Sequence, residues 1–105
     1  MVDLAEFERC ERAGEQVLAV RGEIDLASVD DFRRALESLI REARSPALVD
    51  LSGVTFIDST GMAALMSARG TADAAGVELV LVEPSPQVRM VLELTDLWTH
   101  FKTRP

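Results

Sequence analysis

The chain has a single cysteine (Cys10), a single histidine (His100), a single lysine (Lys102), one tryptophan and no tyrosine. Each shortage closes off a class of chemistry. One cysteine forms no intrachain disulfide, which fits a reducing compartment. One cysteine and one histidine give no Cys/His set with metal-ligand spacing. A Ser-His-acid triad would have to recruit His100 from the end of the chain. The Gly-x-x-x-x-Gly-Lys-Ser/Thr loop that cradles nucleotide phosphates is absent. No run approaches the roughly 20 apolar residues of a membrane span. Basic residues are also short: 11 against 18 acids, a formal net charge of -7. Duplex affinity depends on Lys and Arg neutralising phosphates, so direct nucleic-acid binding is not expected, and a basic partner surface fits better. The opening acids Asp3, Glu6 and Glu8 are unlike a secretory leader. These features together predict a cytoplasmic protein with no cofactor, no metal and no membrane contact.

What remains is a composition suited to a packed domain. Hydrophobic residues make up 48% and charged residues 28% of 105 residues, enough for one domain, residues 1–105, with a real core. Leu4 to Cys10 and Gln16 to Arg21 read as two short strands with a hairpin turn at Gly14. Gly22-Glu23-Ile24-Asp25 then leaves the sheet as a loop. Ser28 reads as a helix cap with Asp30 and Asp31 in the first turn. Val29, Phe32, Leu36, Leu39, Ile40 and Ala43 follow on one helical stripe. Arg33, Arg34, Glu37 and Arg41 fill the solvated face. Pro46 ends that element, and Ala47 to Leu51 is an apolar strand. A helix from Ser59 to about Ala75, rich in alanine, stops at Gly76. Val77 to Val82 is a further buried strand, and Pro86 to Leu94 a last helix. Leu97, Trp98 and Phe101 are expected to cap the core. Buried strands alternating with helices predict an α/β protein with parallel pairings and right-handed crossovers.

Chemistry concentrates in Val49-Asp50-Leu51-Ser52-Gly53-Val54-Thr55-Phe56-Ile57-Asp58-Ser59-Thr60-Gly61-Met62. It reads as a strand, a short loop, and Asp-Ser-Thr-Gly opening a helix. Asp58 or Ser59 is a helix cap on one reading. On the other, the free N–H groups and the positive helix end accommodate a phosphate placed on a hydroxyl there. Glu23 and Asp25 lack an acid-base partner and read as loop acids rather than a catalytic pair. A receiver-type phosphoacceptor aspartate would need an acidic metal pocket and a nearby lysine, and the chain has no internal lysine.

The same stretch, Val49 to Gly61, resembles the signature of STAS domains as found in bacterial anti-sigma factor antagonists. Gly22-Glu23-Ile24-Asp25 is similar to that family's Gly-Glu-Leu-Asp loop. Pro84-Ser85-Pro86-Gln87-Val88 and Leu94-Thr95-Asp96-Leu97 resemble its last helix and following turn. The resemblance implies a mixed, mostly parallel sheet of about four to five strands, with helices packed mainly on one face and a C-terminal strand that is short or missing. It implies a non-enzymatic regulator that binds an anti-sigma factor with serine kinase activity and so frees a sigma factor. Ser59 would be the phosphorylated residue, with Thr60 the runner-up, and a metal-dependent serine phosphatase would reverse the modification. Gly22, Glu23, Ile24, Asp25, Asp58, Ser59, Thr60, Gly61 and Met62 would form the docking surface. A ligand-sensing or scaffold STAS domain with no phosphorylation control is the alternative. Asp50 matches a frequent family aspartate, touching the partner or only ending its strand.

Overall fold

Two apolar strands, Val17-Leu18-Ala19-Val20 and Ala47-Leu48-Val49, run parallel at the centre of a five-stranded sheet. The computed structural model describes residues 4–105. The elements run β1 (Glu6–Arg12), β2 (Glu15–Ile24), α1 (Val29–Glu42), β3 (Ala47–Ile57), α2 (Ser59–Ala74), β4 (Leu79–Val82), α3 (Pro86–Leu94), a 3-10 turn (Trp98–His100) and β5 (Lys102–Arg104). The strands lie side by side in chain order. β1 and β2 form an antiparallel hairpin, and every later pairing is parallel. The hairpin closes with Ala13 and Gly14, both at positive φ, the backbone of a two-residue turn whose twist matches the strands it joins. The C-terminal strand is present but only three residues long.

The helices follow their sequence patterns. α1 buries Val29, Phe32, Leu36, Leu39 and Ile40, the expected stripe except for Ala43, which follows the helix as its half-buried C-cap, and Phe7 of β1 stacks on Phe32 with centroids 5.8 Å apart. α2 buries Ala64, Ala68 and Ala72 together with Leu65. Alanines four residues apart share a face and let the helix axis sit close to its neighbours. At its end Gly76 takes φ +72, and the Val77 N–H donates to the Ala72 carbonyl, so the glycine stop forms as expected. Ser85 caps α3, its Oγ accepting from the Val88 N–H at 3.3 Å. Phe101 is buried in the core, with Leu97 and Trp98 packed against it.

All three helices cover one face of the sheet. The main core joins Leu18, Val20, Ile24, Val49, Leu51, Leu79 and Leu81 of the strands to the inner residues of α1, α2 and α3. The opposite face carries a separate strip of Val17, Leu48 and Val80, flanked by Cys10 and Val82 with no helical residue in it. Alternation along each strand sends successive side chains to these two faces. The strip stays dry beneath paired charges: Arg12 reaches Asp50 at 2.7 Å, and Arg104 reaches Glu15 at 2.8 Å. Long side chains of this kind lay their aliphatic stems over apolar surface and keep their heads in water.

The structure corrects the sequence reading at five places, the first being β1, which runs Glu6–Arg12 rather than Leu4 to Cys10. Gly22, Glu23 and Ile24 belong to β2 rather than to a loop; only Asp25 leaves the sheet. β3 does not stop at Leu51 but runs eleven residues to Ile57. β4 begins at Leu79, since Val77 and Glu78 complete the turn from α2. Ser28 occupies the cap position of α1 without capping it. Its hydroxyl instead donates to the Glu23 carbonyl at 3.0 Å and accepts from the Asp25 N–H at 3.1 Å.

Candidate functional site

β3 carries two extra residues relative to β2, and these shape the site. Ala19 pairs with Asp50 but Arg21 with Gly53; Gly22 pairs with Val54 but Glu23 with Phe56. At the first step β3 advances three residues while β2 advances two, and at the second β3 advances two while β2 advances one, so each time one residue bulges from the ladder. Bulges bend a strand and re-aim its side chains, and they are rare in parallel pairings. The first is pinned by Asp50, whose Oδ1 accepts from the Ser52 N–H at 2.9 Å and from the Ser52 hydroxyl at 2.7 Å. Burial by itself would raise the Asp50 pKa; the Ser52 N–H and hydroxyl and the Arg12 guanidinium outweigh it and hold the carboxyl below its ordinary value. Asp50 therefore sits mid-strand on the helix-free face and neither ends β3 nor reaches the Ser59 end. The second bulge falls at Thr55. Val54 and Ile57 both point into the core although three residues apart, so Thr55 and Phe56 both turn outward.

Immediately after β3, Asp58 caps α2. Its Oδ1 accepts from the Thr60 N–H at 2.9 Å, the Gly61 N–H at 3.2 Å and the Thr60 hydroxyl at 2.6 Å. Burial opposes ionisation here too, but the Thr60 hydroxyl and the N–H groups of Gly61 and Thr60 win and lower the pKa. A carboxylate so committed is a poor proton acceptor. The same bonds separate the two hydroxyls. Thr60 is half-buried and spent on Asp58, whereas Ser59 is exposed and its Oγ makes no side-chain hydrogen bond among the described residues. Ser59 is the first residue of α2, where the backbone N–H groups and the positive helix end face outward.

The expected site residues sort into a supported rim and a buried base. Glu23, Asp25, Asp58 and Thr60 are half-buried and Ser59 is exposed. Backbone contact joins the two strand ends, with the Asp58 N–H donating to the Ile24 carbonyl at 3.1 Å. Ile24 and Met62 are core residues, 0% and 4% exposed, and Gly22 and Gly61 are buried. These four hold the site from beneath rather than line its surface. A Cβ on Gly61 would lie 2.7 Å from side-chain carbons of both Ile24 and Ile57, and Gly22, at φ +91, passes so close to Leu4 that a Cβ would overlap its carbonyl. Spacing alone did not separate rim from base, because a strand end and a helix start alternate inward and outward positions only once paired.

His100 lies in the 3-10 turn before β5, at the sheet end opposite Ser59, so no triad assembles. A cleft of about 530 Å³ at that same end is lined by Arg69, Asp73, His100 and Lys102 among others. Its charges are matched internally, Arg69 to Asp73 and Lys102 to Glu78. Among the described residues no group of three or more acidic, His or Cys side chains could hold a metal ion, and no helix is long and apolar enough to cross a membrane.

A five-stranded sheet with helices on one face, and an exposed serine opening the helix after its central strand, define a small α/β domain with an exposed hydroxyl at a strand end. The chain belongs to the STAS domain family, whose model matches residues 6–105. It is 31% identical over 90 residues to a STAS-domain containing protein of Pseudomonas aeruginosa, covering 84% of this chain and 86% of that one. It is 26% identical over 82 residues to the anti-sigma F factor antagonist of Lysinibacillus sphaericus, covering 77% and 70%. Its fold is that of an anti-sigma factor antagonist from Mycobacterium paratuberculosis, with a TM-score of 0.85 at 24% identity over 98% of this chain and 87% of the other.

Proposed function

We propose that this protein is an anti-sigma factor antagonist switched by phosphorylation at Ser59. Its unphosphorylated form binds an anti-sigma factor that is also a serine kinase, and the sigma factor is thereby released. The observation that carries this reading is the exposed Ser59 hydroxyl beside an aspartate whose Oδ1 caps the helix. Likeness to named anti-sigma factor antagonists in sequence and in fold supports the partner class. The protein is then a binding partner and phosphate acceptor, not an enzyme.

In the transfer, Ser59 Oγ attacks the γ-phosphorus of ATP held by the kinase. The Oγ–P bond forms, the bond to ADP breaks, and the hydroxyl proton passes to a base on the kinase. Asp58 does not serve as that base, since the hydrogen bonds its Oδ1 accepts from Thr60 and Gly61 lower its affinity for a proton. Phosphate adds about -1.5 to -2 charges at pH 7. The helix end tolerates that charge, worth about 0.3–1 kcal/mol in its favour at an exposed terminus, so the fold survives. Binding does not, because the phosphoserine faces Asp58 on one side and the nucleotide's remaining phosphates on the other. A metal-dependent serine phosphatase hydrolyses the ester and resets the switch. The action stays at the level of protein partners, with no direct nucleic-acid contact.

The test is to incubate the protein with the anti-sigma kinase and ATP and to map the phosphate by mass spectrometry. A single addition at Ser59 is expected. No addition, or addition only away from Ser59 and Thr60, overturns the assignment. In calorimetry against the same partner, Ser59→Ala retains binding and Ser59→Asp weakens it by tenfold or more, about 1.4 kcal/mol. Equal affinities would refute the charge mechanism.

A further inference from the structure

We infer that the partner's main grip lies at the Ser59 end of the sheet, through Phe56 on its helix-free face and Leu26 in the turn after β2, beside the acids Glu23, Asp25 and Asp58, and that the occupant is a basic, apolar-recessed surface of the anti-sigma protein. This rests on the partner-switching reading above. Three observations converge on it. The Thr55 bulge turns Phe56 out of the core at a point where Ile57 points in, leaving the ring 47% exposed, and Leu26 stands 77% exposed in the turn after Asp25. Phe56 pairs directly with Glu23 across the strands, and Ser59 follows three residues later, so the patch is continuous with the acceptor. The acids around it have no cationic partner: Glu23, Asp25 and Asp58 form no ion pair among the described residues. At the opposite end of the sheet Glu15, Asp73 and Glu78 are each matched to Arg104, Arg69 and Lys102.

A lone exposed apolar residue needs no explanation on a monomer. An outward aromatic produced by a bulge, ringed by unpaired acids and adjoining the acceptor, is the arrangement of a binding anchor with a polar rim. The partner's basic groups face the acids while its nucleotide faces Ser59. The sites are adjacent but distinct, so phosphate repels at one without being attracted at the other.

Calorimetry with the purified anti-sigma kinase tests this on the full chain. Phe56→Ala is expected to weaken binding about tenfold or more and Leu26→Ala severalfold, the size of interface anchors. Glu23→Lys is expected to weaken binding and to flatten its dependence on salt, since exposed charge pairs are screened within about 10 Å at 0.1 M. Met90→Ala and Leu94→Ala remove exposed apolar side chains on α3, 56% and 79% exposed, and are expected to change affinity less than threefold. Circular dichroism melts check that each variant folds; should Phe56→Ala unfold, the Leu26 methyl signals in the NMR spectrum must shift on adding the partner. Wild-type affinity in both Phe56→Ala and Leu26→Ala overturns the inference and leaves the Ser59 assignment standing. So does a larger loss in the α3 variants, or an effect of Phe56→Ala only on self-association in sedimentation. Failure of the unmodified protein to bind any anti-sigma kinase removes both.

Discussion

Asp50 and Asp58 play the same physical part eight residues apart, each accepting the N–H that follows an irregular point in the chain. Asp50 also holds Arg12, with its own side chain 10% exposed. Asp50→Asn keeps the shape but loses the charge, and is expected to cost about 1–3 kcal/mol at pH 7. The pH dependence has a definite sign. The folded pKa is depressed, so the stabilisation is complete above the unfolded value near ~3.9. It is lost as pH falls from there through the folded value. Urea unfolding of wild type and Asp50→Asn should therefore draw together as pH falls below about 4 toward the depressed folded value. Asp58→Ala removes the cap and should cost about 0.5–2 kcal/mol, with Asp58→Asn costing less because asparagine also caps. Gly61→Ala should destabilise by about 1–3 kcal/mol, as overpacking does, because Ile24 and Ile57 leave no room for a methyl group. None of this is visible in the residue types alone. Asp58 was legible as a cap, but that Thr60 spends its hydroxyl on Asp58 depends on rotamers the fold selects.

Among the elements, the helices read most directly from sequence. The α1 stripe, the alanine face of α2 and the Pro86 start of α3 all formed as their spacing predicts, since a helix closes its hydrogen bonds within its own segment. The strands read less well at their ends. β2 absorbs Gly22 to Ile24, and β3 absorbs Ser52 to Ile57, because those residues find ladder partners only across the sheet. The stretch between Leu51 and Asp58 reads as a loop because its apolar alternation is broken, and two bulges are what breaks it. The hairpin offers a test at this scale. Ala13 sits at φ 50, a conformation that costs an alanine roughly 1–2 kcal/mol and that asparagine adopts more readily. Ala13→Asn should raise stability by about 0.5–1 kcal/mol, measured by urea unfolding; an unchanged or lower midpoint would show that the turn is not strained.

For the molecule as a whole, protection should follow the layering. β2, β3 and β4 are internal strands, while β1 and β5 each have a free edge. Hydrogen exchange should be slowest at Leu18, Val49 and Leu81 and fastest at Lys102 to Arg104, where unfolding is local rather than global. Uniform protection across all five strands would contradict that order. The parallel α/β architecture, the helix faces and the strand-to-helix junction at Ser59 were all determined by sequence, because apolar spacing, capping residues and the STAS-like motif are local signals. Tertiary structure alone decided which junction residues face the solvent and which lie beneath it. It also decided that Phe56 turns outward, and that Glu15 meets Arg104 from 89 positions away. The physical reason is the same in each case. A strand's hydrogen bonds, and a charge's partner, lie on other segments, so the orientation of a strand residue is fixed only when its neighbours are in place.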